Sequence, residues 1–171
     1  MTPRPVIVVW LREDTWRSTV RAAAAVTPDA DLVLLHVVDV RVTEALHGAY
    51  GGLLGRGQRR RDPGEAVGQL AADAGRELLA AAAVALGRPA RRDLRAGHIE
   101  REVVAACEGA ALLVCARDGD RSRLGPNSLG RHTRFVIDHA PCTVLLIWPE
   151  DVPGLASIRP PPQRPPGHQP S

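Results

Sequence analysis

Apolar residues gather in five short runs along the chain: VIVVWL at 6–11, DLVLLHVVDV at 31–40, ARRDLRA at 90–96, ALLVCA at 111–116 and CTVLLIW at 142–148. Four are rich in Val and Leu without strict alternation, the pattern of parallel strands covered on both faces. The third run carries arginines. That suits an exposed edge strand, because charge on an edge discourages unwanted pairing.

Helical spacing fills the gaps between the runs. In SLGRHTRFVIDHA, residues Leu129, Thr133, Val136, Ile137 and Ala140 fall on one stripe. Residues 64–86 carry Val67, Leu70, Ala74, Leu78, Ala81 and Ala85 at similar spacing, with Gly87 and Pro89 as stop signals. In GHIEREVVAACEG, Ile99, Val103 and Cys107 make the inner face, and Gly109 ends the helix. A first helix over 14–26 turns Trp16, Val20 and Ala23 inward, with Asp14 as its N-cap, and TPDAD forms the turn before the second strand. The order is β-α-β-loop-α-β-α-β-α-β, and right-handed crossovers build from it a parallel sheet covered on both sides, an α/β fold with four helices.

Two segments fall outside this rhythm. Residues 41–63, RVTEALHGAYGGLLGRGQRRRDP, are rich in glycine and arginine without a sustained period and read as a flexible loop near the C-terminal edge of the strands. From 151 the chain is rich in proline with little apolar mass, the composition of a disordered or polyproline tail. The expected division is one domain over 1–150 and a tail over 151–171.

Composition sharpens the chemistry. The chain of 171 residues is 44% hydrophobic and only 3% aromatic, so its core is aliphatic, suited to close packing of helix on sheet. All 22 basic residues are arginine. With no lysine there is no Schiff-base or P-loop lysine chemistry, and each arginine stays charged in any site. The net charge of +3 lies largely in the stretch 56–61 and the tail, a solvated basic surface before it is an anion site. Cys107, Cys115 and Cys142 are odd in number, lack metal-ligand spacing and border apolar runs, which reads as reduced buried thiols in a cytoplasmic protein. The N-terminal apolar run is too short for a signal core or a membrane span.

With the runs in place, the segment LRAGHIEREVVAACEGAALLVCARDG and above all the ending SLGRHTRFVIDHAPCTVLLIWPE resemble the universal stress protein family over residues 5–149. The resemblance implies a Rossmann-like, doubly wound five-stranded parallel sheet of order 3-2-1-4-5. It also implies a homodimer paired through the last strand, Thr143, Val144, Leu145, Leu146 and Ile147. An apolar last strand left alone would present an open edge, so pairing it across a two-fold axis is physically sensible.

Many members of that family bind ATP through G-x-x-G, nine residues, then G-[S/T]. Counted back from Gly130, the pattern needs Gly at 117 and 120 and a hydroxyl at 131, where this chain has Arg117, Asp120 and Arg131. Gly130 is in register, and Gly119 lies one position from it. Side chains at 117 and 120 hinder close approach of backbone to phosphate, and Asp118 and Asp120 repel it. ATP-binding members also end the first strand with an aspartate, for which this chain offers Leu11 or Arg12. Arg117, Arg121, Arg123 and Arg131 admit two readings: charge-assisted contacts to an anion at the helix start, or a loop that satisfies itself by ion pairs.

The site residues suggested for an adenine nucleotide are therefore Leu11, Arg12, Arg117, Gly119, Asp120, Gly130, Arg131 and His132, with ATP or another adenine nucleotide as ligand. The leading expectation is a dimeric regulatory protein with a degenerate nucleotide site, acting by binding without turnover. One alternative is a functional ATP, ADP or AMP binder with an arginine-rewired loop and at most slow ATP hydrolysis. Another is an adaptor docking an acidic protein through 56–61. Nucleic acid is disfavoured, since Tyr50 alone offers base stacking in the loop. His36 reads as a packed, hydrogen-bonded histidine, His98 as a solvated residue of a first helical turn, and His139 as part of the turn before the last strand. Ser128 and Thr133 show no His/Asp partner, so a hydrolase triad has no support. Metal sites and G-x-x-x-x-G-K-[ST] or G-x-G-x-x-G motifs are absent from the sequence.

Overall fold

In the computed structural model, which describes residues 4–41, 44–45 and 63–160, the apolar runs form one five-stranded sheet. The strands are β1 (Val6–Trp10), β2 (Asp31–Asp39), β3 (Arg91–Gly97), β4 (Leu112–Ala116) and β5 (Thr143–Ile147). They pair in the order β3-β2-β1-β4-β5, every pair parallel. The helices are α1 (Trp16–Val26), α2 (Pro63–Leu86), α3 (Ile99–Ala106) and α4 (Arg131–His139).

Each face of the sheet carries its own apolar layer. On one, Val9, Leu11, Leu34 and Val114 meet Val20 and Ala23 of α1 and Leu79 and Ala82 of α2. On the other, Val8, Trp10, Leu35 and Leu113 meet Val103 and Cys107 beside α3 and Val136 of α4. Successive residues of β1 and β4 thus alternate between two buried layers, which is why these strands read as unbroken apolar runs.

Three details differ from the sequence reading. The stripe assigned to 64–86 is right only in part: Leu78 packs against the core and Val67 is half-buried, but Leu70 is 70% exposed, and Ala74, Ala81 and Ala85 are exposed too. The buried line runs instead through Gly75, Leu79, Ala82 and Leu86. Gly75 sets it, for a Cβ there would lie 2.8 Å from Leu94 Cδ1 and 2.9 Å from His36 Cδ2, so α2 packs closely on these side chains of β2 and β3. The first helix starts at Trp16, with Thr15 in the cap position and no side-chain cap bond. Asp14 is not the cap, because its carboxylate is drawn to Arg121, 3.1 Å away.

Gly87 and Gly109 do stop their helices, at φ of 69° and 72°, a region open to glycine at little cost. Beyond β5, residues 151–160 include a 3-10 turn at Leu155–Ser157, where the Ser157 hydroxyl accepts a hydrogen bond from the Leu124 N–H at 2.9 Å. Most of the loop assigned to 41–63, including 56–61 and Tyr50, and the tail residues 161–171 lie outside the described residues. Among the described residues no helix is long and apolar enough to cross a membrane.

Candidate functional site

The chain leaves β1 and β4, which are neighbours in the sheet, toward opposite faces, and between their C-terminal ends lies the crevice where open α/β sheets receive ligands. The loops after these two strands meet there. Arg12 Nη1 lies 2.9 Å from Asp118 Oδ2, and Asp118 Oδ1 accepts a hydrogen bond from the Gly130 N–H at 2.8 Å. Gly130 is the N-cap residue of α4, so the Asp118 carboxylate sits at the positive end of that helix. Its side chain is only 5% exposed.

The rest of the loop between β4 and α4 closes on itself. The Gly119 N–H donates to Ser128 O at 3.0 Å and the Asp120 N–H to Asn127 O at 2.8 Å. A Cβ on Gly119 would stand 2.3 Å from Asn127 O, so this crossing needs glycine. Gly125, at φ of 136°, makes the return. Asp120 bonds the Ser122 N–H and hydroxyl, Arg121 bridges Asp14 and Glu150 at 3.1 Å each, and Arg117 hydrogen-bonds Ser128 while its guanidinium lies 4.7 Å from the Trp148 ring centre. Among the described residues, Arg117 Nε is buried without a hydrogen-bond partner.

Beside this loop, a cleft of about 240 Å³ opens between the ends of β1 and β2 and the helix α2. Its walls are Trp10, Val37, Val38, Val67, Ala71, Ala74 and Ile99, and its polar groups are Arg12, Glu13, His36 and Asp39. Of the residues suggested from sequence, Arg12 alone lines it. Leu11 belongs to the core, and its carbonyl oxygen accepts from His36 Nδ1 at 3.0 Å. His36 is buried as expected, and its Nε2 faces the Glu13 carboxylate at 3.6 Å.

An ionic chain flanks the cleft. Asp39 holds Arg41 in a fork, Nε to Oδ1 at 2.9 Å and Nη2 to Oδ2 at 2.6 Å. The same Arg41 Nη2 donates to His132 Nε2 at 3.0 Å, and His132 Nδ1 donates to Glu100 Oε2 at 2.6 Å. Guanidinium groups only donate, and the exposed Arg131 also points its Nε at His132 Nε2, so the ring carries its proton on Nδ1. The Arg41 hydrogen bonds hold Asp39 below its ordinary range against the opposing effect of burial. Burial pushes Glu100 upward, but its own backbone N–H, His132 and Arg41 together bring it below the ordinary value.

Sequence reasoning placed Arg117, Gly119, Asp120, Gly130 and Arg131 on one loop but missed Asp39, Arg41, Glu100 and the cleft wall on α2. Their partners are supplied by separate elements, and no local spacing announces them. Asp118 was legible, since it sits between the positions where the nucleotide loop needs glycine.

The architecture matches solved structures at low identity. The chain aligns with hypothetical protein MJ0577 at TM-score 0.63 and 18% identity, covering 88% of this chain and 99% of that one. Universal stress protein UspA from Lactobacillus plantarum aligns at TM-score 0.55 and 22% identity, covering 86% and 99%. A universal stress protein solved in complex with cAMP aligns at 0.51 and 16%, covering 87% and 100%. None of the curated proteins matches. The model of the universal stress protein family matches residues 13–147. With that match spanning most of its length and the sheet running 3-2-1-4-5, the chain belongs to the universal stress protein family.

Proposed function

We propose that the protein is a regulatory binding protein, paired as a homodimer through β5, whose adenine-nucleotide site is altered at its phosphate end, and that it acts without turning its ligand over. The observation that carries this reading is the bonding of the loop. Gly119, Asp120 and Gly130, positions in or beside the family's phosphate pattern, all spend their N–H groups on acceptors of the chain itself. A phosphate cradle needs such groups free and convergent. The apolar cleft beside the loop keeps an adenine ligand in view, and the universal stress protein solved with cAMP supports that ligand class.

The test is a mass spectrum of small molecules carried through purification, followed by calorimetric titration with ATP and AMP. The expected result is no co-purified triphosphate and ATP binding much weaker than a regulatory ATP site requires. Tight ATP binding would favour an arginine-rewired loop instead, a reading that the exposed Arg131 at the start of α4 supports. Arg131→Ser separates the two: it should lose ATP binding if arginine has replaced the loop, and should not if the phosphate end is degenerate.

A further inference from the structure

We propose that Asp118 is a resident anion: it fills the phosphate end of the site from within and restricts the adjoining cleft to an uncharged, phosphate-free ligand of nucleoside size. This rests on the reading of the cleft as an adenine-ligand site, and it adds the residue that sets the selection.

The carboxylate has the partners that a bound phosphate oxygen would take. One oxygen accepts from the Gly130 N–H at the start of α4, at 2.8 Å, and the other faces the Arg12 guanidinium at 2.9 Å. The fit is close. A Cβ on Gly130 would lie 2.8 Å from Asp118 Oδ2, so the glycine that lets a phosphate approach a helix start here admits the aspartate. At 5% exposure the group is enclosed, where water screens its charge little.

Arg12 links this seat to the cleft, because it lines the cleft and holds Asp118. A ligand that directed a phosphate toward Arg12 would meet a carboxylate already on its best donor, and would have to displace it or sit beside a like charge. The cleft itself, about 240 Å³ with walls of Trp10, Val37, Val38, Ala71 and Ile99, lies near the lower limit for small-ligand pockets of roughly 300 Å³ and suits a base with its sugar.

Calorimetric titration of the full chain with inorganic tripolyphosphate, ATP and adenosine tests this, in the wild type and in Asp118→Ala and Asp118→Asn. The wild type should show no saturable tripolyphosphate binding, and Asp118→Ala should bind tripolyphosphate and ATP at least about tenfold more tightly than the wild type does. Asp118→Asn keeps the side-chain shape and an oxygen to accept from the Gly130 N–H while removing the charge, so it should move the same way with a smaller loss of stability than Asp118→Ala. If both variants fold and neither gains anion affinity, the proposal falls. In the wild type the Gly130 amide resonance should not move on adding phosphate, and a saturable shift there overturns the proposal without any variant. Anion gain with no adenosine binding by the wild type would keep the resident anion and remove the adenine reading and the ligand class drawn from it. Adenosine binding without anion gain would do the reverse.

Discussion

Gly119 lies where two stretches of the loop between β4 and α4 cross, with no room for a methyl group against Asn127 O and the Ser128 backbone. Gly119→Ala should therefore destabilise the protein by about 1–3 kcal/mol, the usual range for overpacking, as read by urea denaturation. Asp39 makes a different prediction. Hydrogen bonding to Arg41 depresses its folded pKa below 3.8, so the pair contributes stability above the unfolded pKa and loses it as pH falls through the folded value. Asp39→Asn should cost about 1–2 kcal/mol at neutral pH, with the difference from wild type shrinking toward zero in acid, when denaturation midpoints are compared across pH. The sequence drew attention to the neighbourhood of Asp118 because Arg117 and Asp120, on either side of it, break the loop pattern at countable positions, and it marked Asp118 only as a charge that repels phosphate. It gave no hint of Asp39, Arg41, Glu100 and His132 acting together, since their contacts join the end of β2 to the starts of α3 and α4.

Among the elements, α4 and α2 show when a pattern carries phase. On α4 Thr133 and Val136 fall three residues apart on one stripe of a helix otherwise rich in charge, and both are fully buried as predicted. On α2 alanines occur on every side, so several phases fit equally well, and the true one is marked by a glycine that contributes no hydrophobicity. The strands were legible because β1, β2 and β4 are buried on both faces, while β5 raises a question of pairing. Its residues Val144–Ile147 remain only half-buried on the outer position of the sheet. If β5 is the dimer strand, Val144→Pro or a charge at Leu146 should convert a particle of twice the 18.3 kDa chain mass into monomer or aggregate. Light scattering reads this directly, and an unchanged dimer would rule β5 out as the interface.

For the molecule as a whole, the thiols offer a reporter of cooperative unfolding. Cys107 and Cys115 are buried in the layer that α3 and α4 cover, and burial pushes both up to about 12, so at neutral pH they offer neither thiolate nor access. Alkylation should modify the partly accessible Cys142 first and the other two only at the rate of opening of that layer, as followed by intact mass. Two labels appearing together on Cys142 and either buried thiol in native buffer would contradict the packing. The link between Arg12 and Asp118 bears on descent. The two lie 106 residues apart yet share one enclosed contact, so neither can change alone without loss. An aspartate at 12 would face the carboxylate at 118, while a glycine at 118 would strand Arg12 and the Gly130 N–H without that acceptor. Either side chain exchanged alone therefore gives a less stable chain, so this corner of the fold changes only when both positions change together.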